Sequence, residues 1–537
     1  MRSQGTAYRK TAGIDGTFDQ IVIGSGMGGL GAASLLAQCG QRVLVLEQNN
    51  VVGGLTQSYE RAGYKWTVGL HYIGEVSTAA TMTRKLFDHA TGNGVEWAPM
   101  PEIFNRMVIG GREYPIPAGL EAYRAALKSW FPDEAAAIDS YLDLMLRTAK
   151  SSAPYFAVKA LPQGVTPDGF AEANRPFADV ADRITLDVLS ELTGNRDLIA
   201  VLCANWGDYG IEPARSSFAM HCMLAKHYLN GGSYPIGGGS AFADAMVPIV
   251  ERAGGKVLHS AEVERILVEN GVVRGVRLTS GEEVICPTVI SNAGVRNSFG
   301  RLLDPEVRSD FGMDDKLSRV ADSYAVVGLN IGLEGSAAEL GFDPANIWFH
   351  PSTDLPANLA RHRADFSAPF AWTFITFPSA KDPGWNKDFA GKSTIEMYAC
   401  SDFRHFEKWS GTRWMKRGDD YLAVKAEIER RLLEDLYRLV PQARGHVRHV
   451  EVSTPLSYET FVRRQRGDFM GIESSPSRFR QDWLRAQTPI PGLYLTGQDV
   501  ATDGVIGALV GGAICASSIL GRNLMNEIRT GLSRAAD

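Results

Sequence analysis

The residues with the clearest chemical purpose lie in one stretch near the N-terminus. Gly24-Ser25-Gly26-Met27-Gly28-Gly29 follows the apolar run Ile21-Val22-Ile23, and Glu47 closes a second apolar run, Val43 to Leu46. Gly24 turns the chain sharply, Gly26 lets backbone approach a pyrophosphate, and Gly29 lets a helix pack closely on the strands. Gly28 belongs to the same loop. A carboxylate about 20 residues further on can accept a hydrogen bond from an adenosine ribose 2′-hydroxyl, and its charge argues against a 2′-phosphate. The chemistry is therefore recognition of a dinucleotide. After Glu47 and Gln48 comes a second doublet, Gly53-Gly54, followed by Leu55 and Thr56. It suits a cofactor whose pyrophosphate and ribityl chain run deeper into the protein, which favours FAD; a plain surface turn is the competing reading of the doublet.

The elements that must position these groups are a strand, a glycine turn, a helix and a parallel strand, with the helix offering unpaired amides and its positive dipole end to phosphate. The sheet begun at Phe18 resumes after a long insertion. Helix Ala241 to Ala253 precedes the strand-like segments Lys256 to Leu258 and Ala261 to Val268, the hairpin Val272 to Cys286 follows, and Thr288 to Gly294 is a buried strand that breaks at a glycine. Near the C-terminus, Gly492 to Asp499 is another such strand, and a small-residue helix begins near Gly507. The cofactor-facing positions of these later units are Val263, Asn292, Ala293, Gly497, Asp499, Val505 and Gly507.

Between these units the pattern is helical over residues 78 to 155, for example Gly119 to Lys128 and Asp133 to Ala149. Ser58 to Trp66 reads as two short strands joined at Ala62-Gly63, and Val68 to Gly74 as an apolar strand carrying the polar pair His71-Tyr72. Asn195 to Asn230, rich in aromatic residues and methionine, suits the lining of an apolar pocket or a plain helical core equally. Tyr324 to Leu333, Phe370 to Phe377 and Ser393 to Ala399 are strands of a second sheet. Tyr421 to Val440 is an amphipathic helix stopped by Pro441.

The fold class is α/β: a Rossmann-type, three-layer FAD-binding domain on a parallel sheet, with an inserted α+β substrate domain built on a second, mixed sheet. The division is a mobile tail over 1–17, the FAD-binding domain over 18–77, 236–300 and 485–530, and the substrate domain with a helical cap over 78–235 and 301–484.

Hydrophobic residues at 45% and charged residues at 22% describe an ordinary globular chain, and a net charge of -6 gives nucleic acid no purchase. The six cysteines are scattered without CxxC spacing, which reads as buried thiols in a reducing, cytoplasmic setting, with no metal site. The first residues carry no apolar h-region, and the uncharged run Gly504 to Gly521 reads as a buried helix rather than a membrane span. Arg404, His405, Lys408, Trp409, Arg413, Trp414, Lys416 and Arg417 form a basic and aromatic cluster, with Arg463, Arg464 and Arg466 further on. It suits peripheral contact with an anionic membrane or the mouth of a lipid tunnel, and a solvated charged face is the bland alternative.

From about Phe18 to Leu524 the chain resembles the phytoene desaturase, carotenoid isomerase and retinol saturase branch of the FAD-dependent amine-oxidase-like oxidoreductases. The glycine fingerprint with Gly53-Gly54 is shared by that whole superfamily. Gly69-Leu70-His71-Tyr72-Ile73-Gly74 and Leu493 to Asp499 look more specifically like retinol saturases, and Tyr234 to Gly238 and Ser453-Thr454-Pro455 look like landmarks of the branch. One departure is that members often carry an aromatic-Asp pair just before the glycine equivalent to Gly69, where this chain has Trp66-Thr67-Val68.

The resemblance implies FAD chemistry on C=C bonds of a long apolar substrate such as a carotenoid, retinoid or unsaturated fatty acyl chain, with an unidentified electron donor or acceptor. It places the segment of His71 and Tyr72 beside the isoalloxazine, as candidate proton donors; a structural histidine and a pocket-wall tyrosine are the other reading. A flavin exchanges a hydride while the protein supplies orientation, dryness and any proton. The alternatives are a redox-neutral isomerase, an amine oxidase, and a lipid carrier of the kind represented by the GDP-dissociation inhibitors, for which the intact segment around Asp499 and Gly507 has no use.

Overall fold

The first layer is a six-stranded sheet, every neighbouring pair parallel. In spatial order its strands are Thr6–Ala7, Lys256–His259, Val43–Leu46, Gln20–Ile23, Val289–Ser291 and Leu493–Leu495. In this computed structural model, which describes residues 5–531, Val22 pairs with Val45 on one side and Ile290 on the other, and Ile290 pairs in turn with Tyr494. These strands are buried on both faces, so they read as unbroken apolar runs rather than as alternation. Part of the tail expected over residues 1–17 is tied down, because Thr6–Ala7 lies parallel to Leu258 and His259 at the sheet edge.

Two helices cross against this sheet. Met27–Gln38 packs on Gly504–Leu520, and both are rich in glycine and alanine. A Cβ on Gly512 would lie 2.9 Å from the Gly28 carbonyl oxygen and 2.9 Å from the Ala32 nitrogen, so the contact is backbone to backbone. Gly504–Leu520 is largely buried inside the molecule, and no single helix among the described residues is long and apolar enough to cross a membrane.

The second sheet has seven strands in the order Val447–Ser453, Ala325–Glu334, Lys392–Ser401, Thr373–Thr376, Asn346–His350, Ile103–Ile109 and Arg112–Pro117. It is mixed, since Asn346–His350 runs parallel to Ile103–Ile109 while the other pairs are antiparallel. Successive side chains alternate between its faces. Ile395, Met397 and Ala399 meet Ile428, Leu432 and Leu436 of helix Asp419–Leu439, whereas Tyr398 and Cys400 face a cap of helices that includes Ala135–Lys150 and Phe218–Tyr228.

Several expectations give way. Residues 78–155 are not uniformly helical, because Trp97–Pro99, Ile103–Ile109 and Arg112–Pro117 are strands. Of Val68 to Gly74 only Ile73–Gly74 is a strand; the residues before it form the irregular loop that crosses between the two sheets. Helix Met82–Ala90 packs on Met27–Gln38 and Gly504–Leu520, which puts it in the parallel-sheet unit rather than in the 78–235 piece. Leu302, Leu303, Met313 and Leu317 join that same core.

Candidate active site

Three distant parts of the chain meet at the glycine loop. A Cβ on Gly28 would stand 2.4 Å from the Cα of Gly497 and 2.7 Å from Oδ1 of Asn292, distances no side chain could occupy. Thr496 Oγ1 donates to the Gly28 carbonyl at 3.1 Å. Gly26 precedes the first helix without any side-chain cap, and so does Asp503 before helix Gly504–Leu520. Two helix N-termini therefore present uncapped amides at one cleft, the arrangement that holds phosphate. Gly24 has φ +93°, which makes the turn, and a Cβ on Gly29 would fall 2.1 Å from the Gly24 carbonyl, so its job is close helix packing.

Gly24, Gly26, Gly28, Glu47 and Gln48 line this cleft, and Gly54, Leu55 and Thr56 form its next wall. Val263, Asn292 and Ala293 line it from the middle of the chain, and Gly497, Asp499 and Val505 from the end. Gly29, Gly53 and Gly507 stand behind the wall. Gly53 donates its amide to Ser25 Oγ at 3.0 Å in a left-handed conformation, and Gly507 packs on the Thr502 carbonyl.

The Glu47 carboxylate is buried and already engaged. Oε2 accepts from the Ser25 amide at 2.9 Å and the Ser25 hydroxyl at 2.6 Å, and Oε1 accepts from the Asn49 amide at 2.8 Å. A carboxylate has about four acceptor directions, so one on Oε1 remains for a ribose hydroxyl. Asp499 does a different job, accepting from the Val295 amide at 2.9 Å and the Ile472 amide at 3.3 Å, which ties the middle and end of the chain together.

The sequence offered Arg463, Arg464 and Arg466 only as an extension of the basic patch, whereas the segment Phe461–Met470 closes the cofactor cleft from the side of the second sheet. The Phe461 carbonyl accepts from Gln48 at 3.1 Å and Asn49 at 2.9 Å, and Arg463 reaches Glu262 at 3.1 Å. Arg464 is a buried cation among Asp468, Asp499 and Asp322, and their fields keep its guanidinium charged despite burial. Burial pushes the Asp468 carboxyl up to about 7. No motif marks these residues; only the fold brings them to the cleft.

His71 and Tyr72 sit behind that wall, next to Gly69, which lines it. They face different partners. Tyr72 is stacked on Tyr228 at 4.2 Å and donates its hydroxyl to Asp208 at 3.0 Å, inside the cap; burial pushes the Asp208 carboxyl up to about 7. His71 donates Nδ1–H to the buried Glu396 carboxylate at 3.1 Å and lies against Tyr398, ring centroids 4.9 Å apart. Tyr398 in turn lines a larger cleft of about 2000 Å³ that shares Asn49, Leu55, Gln57, Phe461 and Val462 with the first.

Against known proteins, the family model described as flavin containing amine oxidoreductase matches residues 27–520. The chain belongs to this family. It is 36% identical over 531 residues to an all-trans-retinol 13,14-reductase of Homo sapiens, covering 95% of this chain and 87% of that protein. It is 25% identical to a chloroplastic prolycopene isomerase of Arabidopsis thaliana, covering 96% and 84%. In fold it is similar to an oxidoreductase from Methanosarcina mazei, with TM-score 0.63 at 16% identity and coverage of 94% and 100%.

As a flavin-containing oxidoreductase the protein is an enzyme and its cofactor is FAD. The cleft fits that group: the uncapped helix N-termini face where a pyrophosphate would lie, the glycines leave room that any Cβ would fill, and Glu47 keeps a lone pair for ribose. The Gly69 end of the cleft leads toward Phe374, Trp348 and Trp372, an aromatic core with few ionised groups.

Proposed function

We propose that the protein adds hydrogen to, or removes it from, a C=C bond of a long apolar substrate of the retinoid or carotenoid kind. The observation that carries this reading is the shared wall of the two clefts. A molecule in the larger one reaches the cofactor past Leu55 and Gln57; charged residues such as Arg61, Lys65, Asp388, Lys425 and Glu451 line part of that cleft, and Trp414, Met415, Leu422 and Phe461, four of the exposed large hydrophobics, form an apolar group on it. The names of the relatives support the same substrate class. Bound FAD supplies the hydride chemistry. The chain's own residues hold the cofactor between the three converging segments, exclude water with the Phe461–Met470 strap, and present the substrate along aromatic side chains such as Tyr398, Tyr458 and Phe461.

The same rim is our reading of how a lipid enters. Arg404 is forked onto Asp402 at 2.9 Å, Lys408 pairs with Asp420 at 2.9 Å, and Arg417 donates to Thr460 at 3.0 Å. Arg404 and Lys408 are thus neutralised within the protein, and Trp414 and Met415 stand exposed beside them, facing outward toward a membrane surface.

The test is anaerobic single turnover with photoreduced enzyme, which dispenses with any electron carrier. All-trans-retinol or lycopene reoxidises the flavin, whereas a saturated fatty acid does not; failure of every unsaturated lipid overturns the reading. Isomerised product without flavin reoxidation instead favours the redox-neutral alternative. With substrate presented in anionic vesicles, Trp414→Ala combined with Met415→Ala slows turnover, while turnover in detergent is unchanged.

A further inference from the structure

Glu396 is a fully buried carboxylate on strand Lys392–Ser401, in the second sheet, yet its hydrogen bonds reach the loop at the cofactor cleft. Oε1 accepts from the Thr67 amide at 2.8 Å and Oε2 from His71 Nδ1–H at 3.1 Å. The carboxylate reaches Thr67 from another strand, 329 residues along the chain. The two oxygens are committed to two donors, so Nδ1 of His71 must carry a proton. Nε2 makes no hydrogen bond to any described residue, and the ring keeps 13% exposure.

The charged and titratable surroundings of the pair are few. Lys381, buried, donates Nζ to the His71 carbonyl at 3.0 Å and to Thr376 Oγ1 at 2.6 Å, and also to Asn346. Burial pulls its ammonium down to about 7, against the attraction of Glu396. Tyr398, its hydroxyl donated to the Val68 carbonyl at 2.8 Å, and Phe374, its cross-strand neighbour, both lie against the ring. Tyr72 is turned away into the cap.

We propose that Glu396 is a positioning residue for His71: it fixes the proton on Nδ1, stabilises the imidazolium, and leaves Nε2 as the atom that gives a proton to the substrate carbon. This rests on the function proposed above. In hydrogenation, where bound FAD would supply a hydride to one alkene carbon, the Nε2–H bond breaks and a C–H bond forms at its neighbour. Imidazolium becomes neutral imidazole, and solvent restores the proton. In desaturation the same atom accepts the proton. The two electrons enter or leave through the cofactor and an external two-electron carrier.

Glu396→Gln is the discriminating change. The amide oxygen satisfies one donor, the Thr67 N–H, and its NH₂ then faces His71, which must present an unprotonated Nδ1. The neutral tautomer is inverted and the imidazolium loses its counter-charge, with little change in shape. A misplaced general acid costs about 10²-fold or more in rate. The experiment reads [¹⁵N]His spectra of the holoenzyme, assigned with His71→Asn, alongside the pH profile of single-turnover reoxidation by all-trans-retinol. The result in support is a His71 tautomer that switches from Nδ1–H to Nε2–H in Glu396→Gln, with a rate at least 100-fold lower, a displaced pH profile, unchanged flavin content and recovery in Glu396→Asp. An unchanged His71 spectrum overturns the proposal whatever the substrate proves to be. So does a switched tautomer with an unaltered rate and pH profile. If wild-type enzyme is inert toward every lipid, the spectra still decide whether Glu396 sets His71, and it is the functional reading that fails.

Discussion

At the scale of single residues, the contrast between two carboxyl groups is instructive. Glu47 is held by three donors on its own neighbouring segments, whereas Asp208 is buried with one, the Tyr72 hydroxyl, and burial lifts its carboxyl to about 7. Between about pH 4 and 7 the folded chain keeps a proton on Asp208 that the unfolded chain has lost, so stability falls as pH rises across that window. Asp208→Asn removes this slope. Unfolding free energies from urea titration at pH 5 and pH 8 should differ less in the variant, by an amount on the order of a few kcal/mol; identical pH dependence in both proteins would contradict the burial argument. Glu47 and the glycines were legible in the sequence because their meaning is local, set by a turn and a strand end. Glu396, Arg464 and Asp208 were not, since each acquires its role from a partner hundreds of residues away or from burial that no neighbour announces.

At the scale of elements, the glycine stripe on helix Gly504–Leu520 is a contact surface. A Cβ on Gly512 would lie 2.9 Å from backbone of the first helix, so Gly512→Ala must separate the two helices by tenths of an ångström. Overpacking of this kind costs about 1–3 kcal/mol. Gly194, with open space around its Cβ position, is the control, and Gly194→Ala should leave the unfolding free energy from urea titration within about 0.5 kcal/mol. The elements themselves were mostly readable, including the hairpin at Ala62-Gly63 and the amphipathic helix before Pro441. The strands Ile103–Ile109 and Arg112–Pro117 escaped notice because Pro115 and Pro117 and the charges at Arg112 and Glu113 disguise an edge position, where proline and charge are tolerated.

At the scale of the whole molecule, the cofactor cleft ties together segments from the beginning, middle and end of the chain, and Arg463 and Phe461 bind the second domain to it. FAD binds the folded assembly and not the unfolded chain, so it should stabilise the protein by about 4 kcal/mol at a thousandfold excess over Kd. Gly28→Ala, whose Cβ would collide with Gly497, should emerge from purification without the flavin absorbance band and with the Tm of the stripped enzyme. A normal flavin content in that variant would show that the three segments do not need to touch.

That meeting of Gly28, Asn292 and Gly497 also orders events in the cell. The glycine loop leaves the ribosome early, but the strand and helix that complete its far wall are made hundreds of residues later. A nascent chain therefore holds half a nucleotide cradle until residues 493 to 520 have been made, and cofactor capture waits for helix Gly504–Leu520 to slide into place against the first.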